Sequence, residues 1–536
     1  MVQTESPAVD TPAESSTPVR SRRVRVGAAV VVVALIAAAG LLVRLGAQER
    51  GGPPHTDVAI PGGIPATVYV PGEVDRDFQE LPDPRPAGDR PPVVVLGHGF
   101  SADRATMSTL ARSLTAAGYA VVAFDFRGHG SNANAFGGGD LREDLDAVVD
   151  WVGTQPHWDP SRLVVMGHSM GAGAVLDFAT VDPRPKVVVP ISGGWNITGP
   201  EVPANVLFIL AQNDPSGIHD ETANNRRLLA DDGGRVSRTV VPDTDHATIL
   251  WSGVAVERIV AWTDDALGVE RSAPATRVDG RMGTSGLYFL CALVLLAAVG
   301  IGAGRLAPTV AARAAKPAGI GFAVLAGAML VTMPVLALGA PATFIPLEVI
   351  DTQASHLFAV GALVLGFGLW RRHTGAAQPA WLGTDGPTLR ADLRGVALPA
   401  ALAIVAIYLL LSPLGAVFHR LTLSPARLVA GVLVALAVLP FFLALERLTR
   451  RGGTVAATLL GLAGKAVLLV VTLIGLSLGL LPSVIGVIVP ILVLIFVVME
   501  VFAAGAYAAG RNIALIAVVH AAWFAWIAAA AMPIKI

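Results

Sequence analysis

The chain has 536 residues, of which 53% are hydrophobic and only 15% are charged, and its formal net charge is −1. This length exceeds one ordinary domain, and this composition lies outside the range of soluble proteins, so a membrane component is expected. A near-zero charge, without arginine clusters among aromatic residues, argues against nucleic-acid binding. The single cysteine, Cys291, excludes an intrachain disulfide.

Acidic residues are unevenly distributed along the chain. Nearly all of them precede residue 270, whereas the rest consists of apolar runs separated by arginine-bearing turns. A polar region and a membrane region therefore share one chain. We divide it into a disordered cytoplasmic tail (1–25), a transmembrane signal anchor (26–46), a folded extracytoplasmic domain (52–270), a linker (271–285) and a membrane domain of about eight transmembrane helices (286–536).

The amino-terminal segment predicts a membrane anchor. Residues 1–20 are rich in Pro, Ser, Thr and Glu without apolar periodicity, which indicates disorder. Four arginines between positions 20 and 25 precede the uncharged run 26–43, which nearly spans a bilayer core of roughly 30 Å and leaves its basic side in the cytoplasm. A cleaved signal peptide ending near residues 45–47 is the alternative. Both interpretations send the next segment outward, and the length of the run favours the anchor.

Short apolar strands alternate with amphipathic helical stretches from residue 55 to about 270. This alternation predicts an α/β domain with a mostly parallel sheet and helices on both faces. Each strand candidate is rich in β-branched residues. The candidates are Pro92–Leu96, Ala120–Phe124, Leu163–Met166, Lys186–Ile191, Val206–Leu210 and Arg238–Val241.

The pentapeptide Gly167-His168-Ser169-Met170-Gly171 lies between an apolar strand and an amphipathic helix. This context is that of a nucleophile elbow, a turn too tight for bulky side chains two residues before and after the serine. The turn lifts the serine Oγ into the open, beside the positive end of the following helix. We therefore predict Ser169 as a nucleophile.

Two polar residues follow later strands of the predicted sheet. Asp214 ends the apolar strand that begins near Val206, and His246 lies in the polar loop after the next strand. The order Ser, Asp, His is one of the known chain orders of serine triads. We predict Asp214 as the acid and His246 as the base.

Neighbouring residues are weaker candidates for these two roles. None of them directly ends a strand as Asp214 does, and Asp245 adjoins the histidine too closely to turn round to its Nδ1. The rivals are Asp220, Asp243, Asp245 and His219.

A serine nucleophile also requires two backbone N–H donors for the oxyanion. One donor should be Met170, the residue after the nucleophile. The loop after the strand 93–96 has the form Gly97-His98-Gly99-Phe100, which makes the Phe100 N–H our second donor.

The motifs His98-Gly99-Phe100, Asp125 to Ser131 and Gly167 to Gly171 together resemble the α/β-hydrolase superfamily over about residues 55–270. Their spacing is similar to that of dienelactone-hydrolase-like and acyl-peptidase-like serine esterases. Dienelactone hydrolases proper use cysteine, so that specific activity is not implied. The resemblance implies an α/β-hydrolase fold and a carboxylesterase-like activity that needs no cofactor or metal.

Several other residues of the domain have a predicted role. The segment Asp125 to Ser131 should fix a turn, and His98, His129 and His168 are interpreted as structural. Between Gly193 and Pro203 only a short loop stands where larger lipases insert a lid, which predicts an accessible site. Trp195 and Trp251 flank the site in sequence and are candidates for an acyl pocket, although buried core tryptophans are commoner.

Eight further apolar segments follow residue 286, and each approaches spanning length. They lie at about 286–304, 318–338, 353–370, 396–413, 427–446, 455–480, 483–504 and 512–531. With the anchor they predict nine helices, an external carboxyl terminus and arginine-rich loops inside. Arg420 and Arg427 fall outside and are the one contrary signal.

Four ionisable residues lie within these apolar segments, where they are costly. Snorkelling to the headgroups is a simple explanation for Lys465 and Glu500, and Glu500 could pair with His520 on the next helix. His356 is the fourth.

The predicted function is a multi-pass hydrolase of the cytoplasmic membrane whose external domain cleaves an ester-type small-molecule, lipid or envelope substrate. A cell-envelope acyltransferase would use the same triad. A transporter or assembly module with an accessory hydrolase domain is the third hypothesis. Beyond the lipid bilayer and the substrate no partner is indicated, and the oligomeric state stays open.

Overall fold

The computed structural model describes residues 17–72, 86, 89–138, 140–194, 197, 202–231, 233–270, 279–310, 319–338, 345–376, 389–482 and 484–535.

A sheet of eight strands organises the amino-terminal half, in the spatial order β1-β2-β4-β3-β5-β6-β7-β8. The β1–β2 hairpin forms an antiparallel edge, and the other strands are parallel. The strands are β1 His55–Ile60, β2 Ile64–Tyr69, β3 Pro92–Gly97, β4 Ala120–Phe124, β5 Asp159–His168, β6 Val187–Ile191, β7 Asn205–Ala211 and β8 Arg235–Val241. The predicted α/β-hydrolase fold class is confirmed, and all six predicted strands are present.

Helices cover both faces of this sheet. Along β3, Val93 and Val95 point into one core cluster while Val94 and Leu96 point into the other, because successive side chains of a strand alternate between faces. The parallel strands are therefore apolar on both sides, as expected for a covered parallel sheet. The helices are α2 Ser108–Ala116, α3 Leu141–Thr154, α4 Met170–Ala179, α5 Ser216–Asp231 and α6 Gly253–Leu267.

Nine long helices of the described chain are candidates for the membrane region. They are α1 Thr17–Gly51, α7 Arg281–Leu306, α8 Gly319–Leu338, α9 Ile350–His373, α10 Leu389–Leu411, α11 Pro425–Thr449, α12 Thr454–Ser477, α13 Val484–Gly510 and α14 Ile513–Ala531. Eight of these described helices are long and apolar enough to cross a bilayer, and the apolar part of α8, Ile320–Val335, is shorter. The chain is a multi-pass membrane protein.

Helix α1 begins earlier than the expected boundary at residue 26. It starts at Thr17, with Pro18 in its first turn, where a missing N–H costs nothing. The arginines that follow are good helix formers, so the helix continues from the apolar run toward the amino terminus. Residues 1–16 of the predicted tail lie outside the described residues, as do residues 271–278 of the predicted linker.

The α/β domain lies against one set of ends of the membrane helices. On its side lie the end of α1, the start of α7 and the carboxyl terminus of the chain, where Lys535 Nζ pairs with Asp351 Oδ2 at 2.7 Å. At the opposite ends, Asn512 Nδ2 donates to Pro308 O at 2.9 Å.

The two arginines that contradict the positive-inside rule both contact the α/β domain. Arg420 Nη2 lies 3.2 Å from Asp57 Oδ2, and the Arg420 N–H donates to Asp103 Oδ2 at 3.0 Å. Arg427 is only 2% exposed and donates to Gly128 O and Gly130 O. Both arginines therefore bind the α/β domain to the membrane helices, which explains why they lie on the side of that domain, against the positive-inside rule.

The ionisable residues of the membrane helices form one buried cluster. Arg450 donates to Glu446 at 2.5 Å and to Glu500 at 2.7 Å, and Lys465 also pairs with Glu500. His520 Nδ1 lies 3.1 Å from Glu446 Oε1. Lys465 and Glu500 are each 2% exposed, so neither snorkels. The carboxylate nearest His520 is that of Glu446 rather than the expected Glu500, and His520 Nε2 faces the Met499 carbonyl at 3.0 Å. His356, also buried, faces the Met329 carbonyl at 3.0 Å.

Candidate active site

Ser169 lies at the sharp turn between β5 and α4. Its backbone has φ 52° and ψ −113°, a conformation that L-residues rarely adopt. A Cβ on Gly167 would come within 2.1 Å of Gly171 O, and one on Gly171 within 2.6 Å of His98 O. Both glycines are therefore required sterically, as the sequence predicts for a nucleophile elbow.

The structure brings the three predicted triad residues together at the carboxyl edge of the sheet. His246 Nε2 lies 2.9 Å from Ser169 Oγ, and His246 Nδ1 lies 2.7 Å from Asp214 Oδ1. Asp214 follows β7 and His246 follows β8, so adjacent strands deliver the two side chains. With Nδ1 donating to the carboxylate, Nε2 is free to accept the serine proton.

Two of the four rival residues, Asp245 and His219, are used elsewhere. The Asp245 carboxylate accepts from the N–H groups of Ala247 and Thr248 at 3.0 and 2.9 Å, which makes it a local cap. His219 Nδ1 contacts Arg238 Nη2 at 2.8 Å. Neither side chain reaches Ser169 in this arrangement.

Ser192 is a residue of the site that sequence reasoning missed. Its Oγ donates to Asp214 Oδ2 at 2.7 Å, and the Ala211 N–H donates to the same oxygen at 2.8 Å. Burial acts to raise the pKa of Asp214, but the hydrogen bonds from His246 and Ser192 outweigh it and hold that pKa below its ordinary value. The carboxylate therefore stays ionised. The sequence feature that could have identified Ser192 is its position directly after β6, at the same edge of the sheet as the other site residues.

His168 is a structural neighbour of the base. Its Nε2 donates to the backbone oxygen of His246 at 2.7 Å, so the ring supports the loop that carries the base. Burial, followed by the charge of His246, lowers the pKa of His168 to about 3. His168 is therefore neutral at physiological pH.

The low pKa of His168 predicts a loss of stability in acid. Below the ordinary value of 6.5 the unfolded chain binds a proton that the folded chain refuses, so stability is full above that pH and falls as pH decreases. Between pH 6.5 and 5 this histidine should remove about 2 kcal/mol from the free energy of unfolding. Denaturant unfolding at several pH values measures the slope. His168→Gln should flatten it, and an unchanged slope would contradict the assignment.

The two predicted oxyanion donors belong to segments next to Ser169. Gly99 packs so closely that a Cβ there would come within 3.2 Å of Ser169 Cβ, which places the Phe100 amide next to the nucleophile. Met170 is the first residue of α4, so its N–H has no partner within the helix. Their role toward an oxyanion stays a prediction.

The loop from Asp125 to Ser131 fixes a turn, as predicted. Asp125 is fully buried and pairs with the guanidinium of Arg104, which is 4% exposed. It also accepts from the Arg104 and Ser131 N–H groups at 2.8 and 2.9 Å. The arginine partner was not predicted.

Of the two tryptophans proposed for an acyl pocket, only one is described. Trp251 packs its ring against Phe418 of the membrane domain, with centroids 5.6 Å apart and planes at 82°. Trp195 lies outside the described residues, as does most of the short loop from Gly193 to Pro203. A role for Trp251 toward substrate stays a prediction.

A cavity of about 510 Å³, lined by both polar and apolar side chains, lies between the two halves of the chain, but it is not at Ser169. It opens between β1, β2 and the segment 412–422. Its charged lining residues are Glu49, Asp57, Arg281 and Arg420.

Comparison with known proteins supports the fold of this domain. Residues 89–212 match the family model described as serine aminopeptidase, S33. The uncharacterized protein Rv2307c of Mycobacterium tuberculosis is 28% identical over 179 residues, which cover 31% of this chain and 62% of the relative. A bis(hydroxyethyl) terephthalate hydrolase of Streptomyces coelicolor is 27% identical over 232 residues, covering 38% and 70%. A monoacylglycerol lipase of Mycolicibacterium smegmatis is 34% identical over 114 residues, covering 21% and 39%.

The chain thus spans about three-fifths of the length of its M. tuberculosis relative. The family match covers the sheet from β3 to the end of β7, including the elbow. The amino-terminal half is therefore an α/β-hydrolase domain of the serine hydrolase type, as the resemblance implied.

Proposed function

We propose that this α/β serine hydrolase is a membrane-bound esterase that acts outside the cytoplasmic membrane. The observation that carries the proposal is the continuous hydrogen-bonded line from Ser169 Oγ through His246 to Asp214. Two of the similar proteins are named for hydrolysis of an ester or a glyceride, which supports an ester-type acyl bond.

The reaction follows the geometry of the triad. His246 Nε2 takes the Ser169 proton as Oγ attacks the carbonyl carbon, and Asp214 stabilises the resulting imidazolium. The N–H groups of Phe100 and Met170 receive the negative charge on the carbonyl oxygen. His246 then protonates the leaving alcohol, and water activated by the same imidazole releases the acid from the acyl-enzyme.

The distribution of arginines supports an external hydrolase domain. Arg305, Arg371, Arg372 and Arg511 lie at the helix ends opposite the hydrolase domain. Basic loops are retained in the cytoplasm, so these ends belong inside. The hydrolase side then faces outward, together with the carboxyl terminus.

The test is labelling of intact cells with a membrane-impermeant fluorophosphonate. Wild type should be labelled, and Ser169→Ala should lose the label entirely, because the probe needs a serine activated by a base. Ser131→Ala removes an exposed serine of the same domain and serves as the matched control, with labelling expected to persist. Absence of labelling in folded wild type, even in detergent, would overturn the hydrolase proposal. Labelling only after detergent would overturn the external placement alone.

A further inference from the structure

The catalytic edge of the hydrolase domain is also its docking edge. The loops after β3 and β4 both contact the membrane domain: Thr106 Oγ1 donates to Phe418 O at 2.6 Å, and the Phe136 N–H donates to Ile534 O at 2.8 Å. The Ile534 N–H returns a hydrogen bond to Gly128 O at 2.9 Å. Phe100, the predicted oxyanion donor, belongs to the same loop after β3 as Thr106.

A buried arginine of α11 holds this interface together. Arg427 directs its donors at backbone carbonyls of two separate segments: Nη2 and Nε reach Gly128 O and Gly130 O at 2.5 and 3.0 Å, and Nη1 reaches Ala529 O and Met532 O at 2.6 and 2.9 Å. Within the described chain it forms no ion pair. Carbonyls at the end of α14 offer the negative end of a helix dipole, which favours a cation.

The first segment held by Arg427 leads directly to the oxyanion loop. Gly128 and Gly130 flank His129, which is fully buried. The His129 ring packs edge-on against Phe100, at a centroid distance of 5.8 Å, and against His98, at 5.1 Å. Displacing the two clamped carbonyls would therefore move the ring against which Phe100 rests.

The second segment reaches the same loop from the other side. Met532, whose carbonyl accepts from Arg427, places its sulfur 3.6 Å from Ser101 Oγ. Ser101 follows Phe100 and has φ 61°, in the left-handed region that non-glycine residues rarely occupy. The Phe100 side chain also packs against the apolar core of the membrane domain. Two independent routes thus run from Arg427 to the Phe100–Ser101 pair.

We propose that Arg427 is a positioning residue for the oxyanion loop, so that the membrane domain completes the hydrolase site rather than only anchoring it. This inference rests on the proposed esterase function. A guanidinium suits the role because its donors lie in a fixed plane and can serve several carbonyls at once, whereas a lysine offers one ammonium group.

The experiment uses the purified full chain in detergent and measures hydrolysis of p-nitrophenyl butyrate. Arg427→Gln should lower kcat about tenfold to hundredfold with KM little changed, because a displacement near 1 Å in a catalytic site has an effect of that order. Arg427→Lys should recover part of the loss. Arg420→Gln, which removes a surface pairing with Asp57 on the same interface, should leave kcat unchanged.

A second variant keeps the inference falsifiable if Arg427→Gln fails to fold. Met532→Ala removes the sulfur beside Ser101 but keeps the carbonyl that Arg427 binds, and we expect kcat to fall severalfold at constant KM. Wild-type kcat in Met532→Ala, or in folded Arg427→Gln, would overturn the inference while leaving the esterase function intact. A wild-type chain that neither hydrolyses the ester nor reacts with fluorophosphonate would instead overturn the function itself.

Discussion

Replacing Asp214 by asparagine should lower kcat by about four orders of magnitude, the effect known for the corresponding change in serine triads. Asp214 Oδ1 accepts the Nδ1 proton of His246 at 2.7 Å and so leaves Nε2 unprotonated toward Ser169. The amide of asparagine can donate to Nδ1 and place the proton on Nε2, where it blocks general-base catalysis. Steady-state hydrolysis of p-nitrophenyl butyrate by the full chain measures the loss.

Ser192→Ala is the matched control for this prediction. It removes the donor to Asp214 Oδ2 but leaves the Oδ1 contact with His246, so a loss of only about tenfold is expected. Asp245→Asn should be close to wild type, since its carboxylate caps a local turn. An Asp214→Asn variant within tenfold of wild type would show that another group orients the base.

The clustering of Ser169, Asp214 and His246 could be predicted from the sequence, because each residue is set by local chemistry and by the strand it follows. The elbow needs glycine on both sides of Ser169, and Asp214 and His246 follow buried strands whose ends share one edge. Residues that meet only through tertiary packing carry no such pattern. Ser192 is an ordinary serine after a strand. Arg427 contradicted the positive-inside rule in the sequence, and its role could not be predicted because its carbonyl partners lie about one hundred or more positions away along the chain.

The edge hairpin, β1 and β2, was not predicted from the sequence for a similar reason. In β1, His55–Ile60, burial is partial, so its side chains lack the continuous apolar run that marked the central strands. In β2, Pro65 interrupts the apolar run, although Ala66 and Val68 are fully buried. The antiparallel pairing of β2 with β4 places it in the core, and no local feature indicates that pairing.

The membrane helices contain a buried cluster that balances its own charges. Glu446 and Glu500 face Arg450 and Lys465, and all four side chains are at most 2% exposed. Gly461 makes room for them, since a Cβ there would come within 2.6 Å of Glu500 Oε1 and 2.9 Å of the Arg450 guanidinium. Such a network tolerates removal of a matched pair far better than removal of one charge.

Glu500→Gln should therefore destabilise the protein by about 3–5 kcal/mol, because it leaves Arg450 and Lys465 sharing the single carboxylate Glu446 in a buried setting. Lys465→Met should be similarly damaging, since it leaves an excess negative charge. The double variant Lys465→Met/Glu500→Gln restores the balance between Arg450 and Glu446 and should recover most of the loss. Thermal unfolding and yield of the detergent-purified chain measure all three. A double variant as unstable as the sum of its parents would contradict charge compensation. It would indicate instead that each side chain contributes through packing alone.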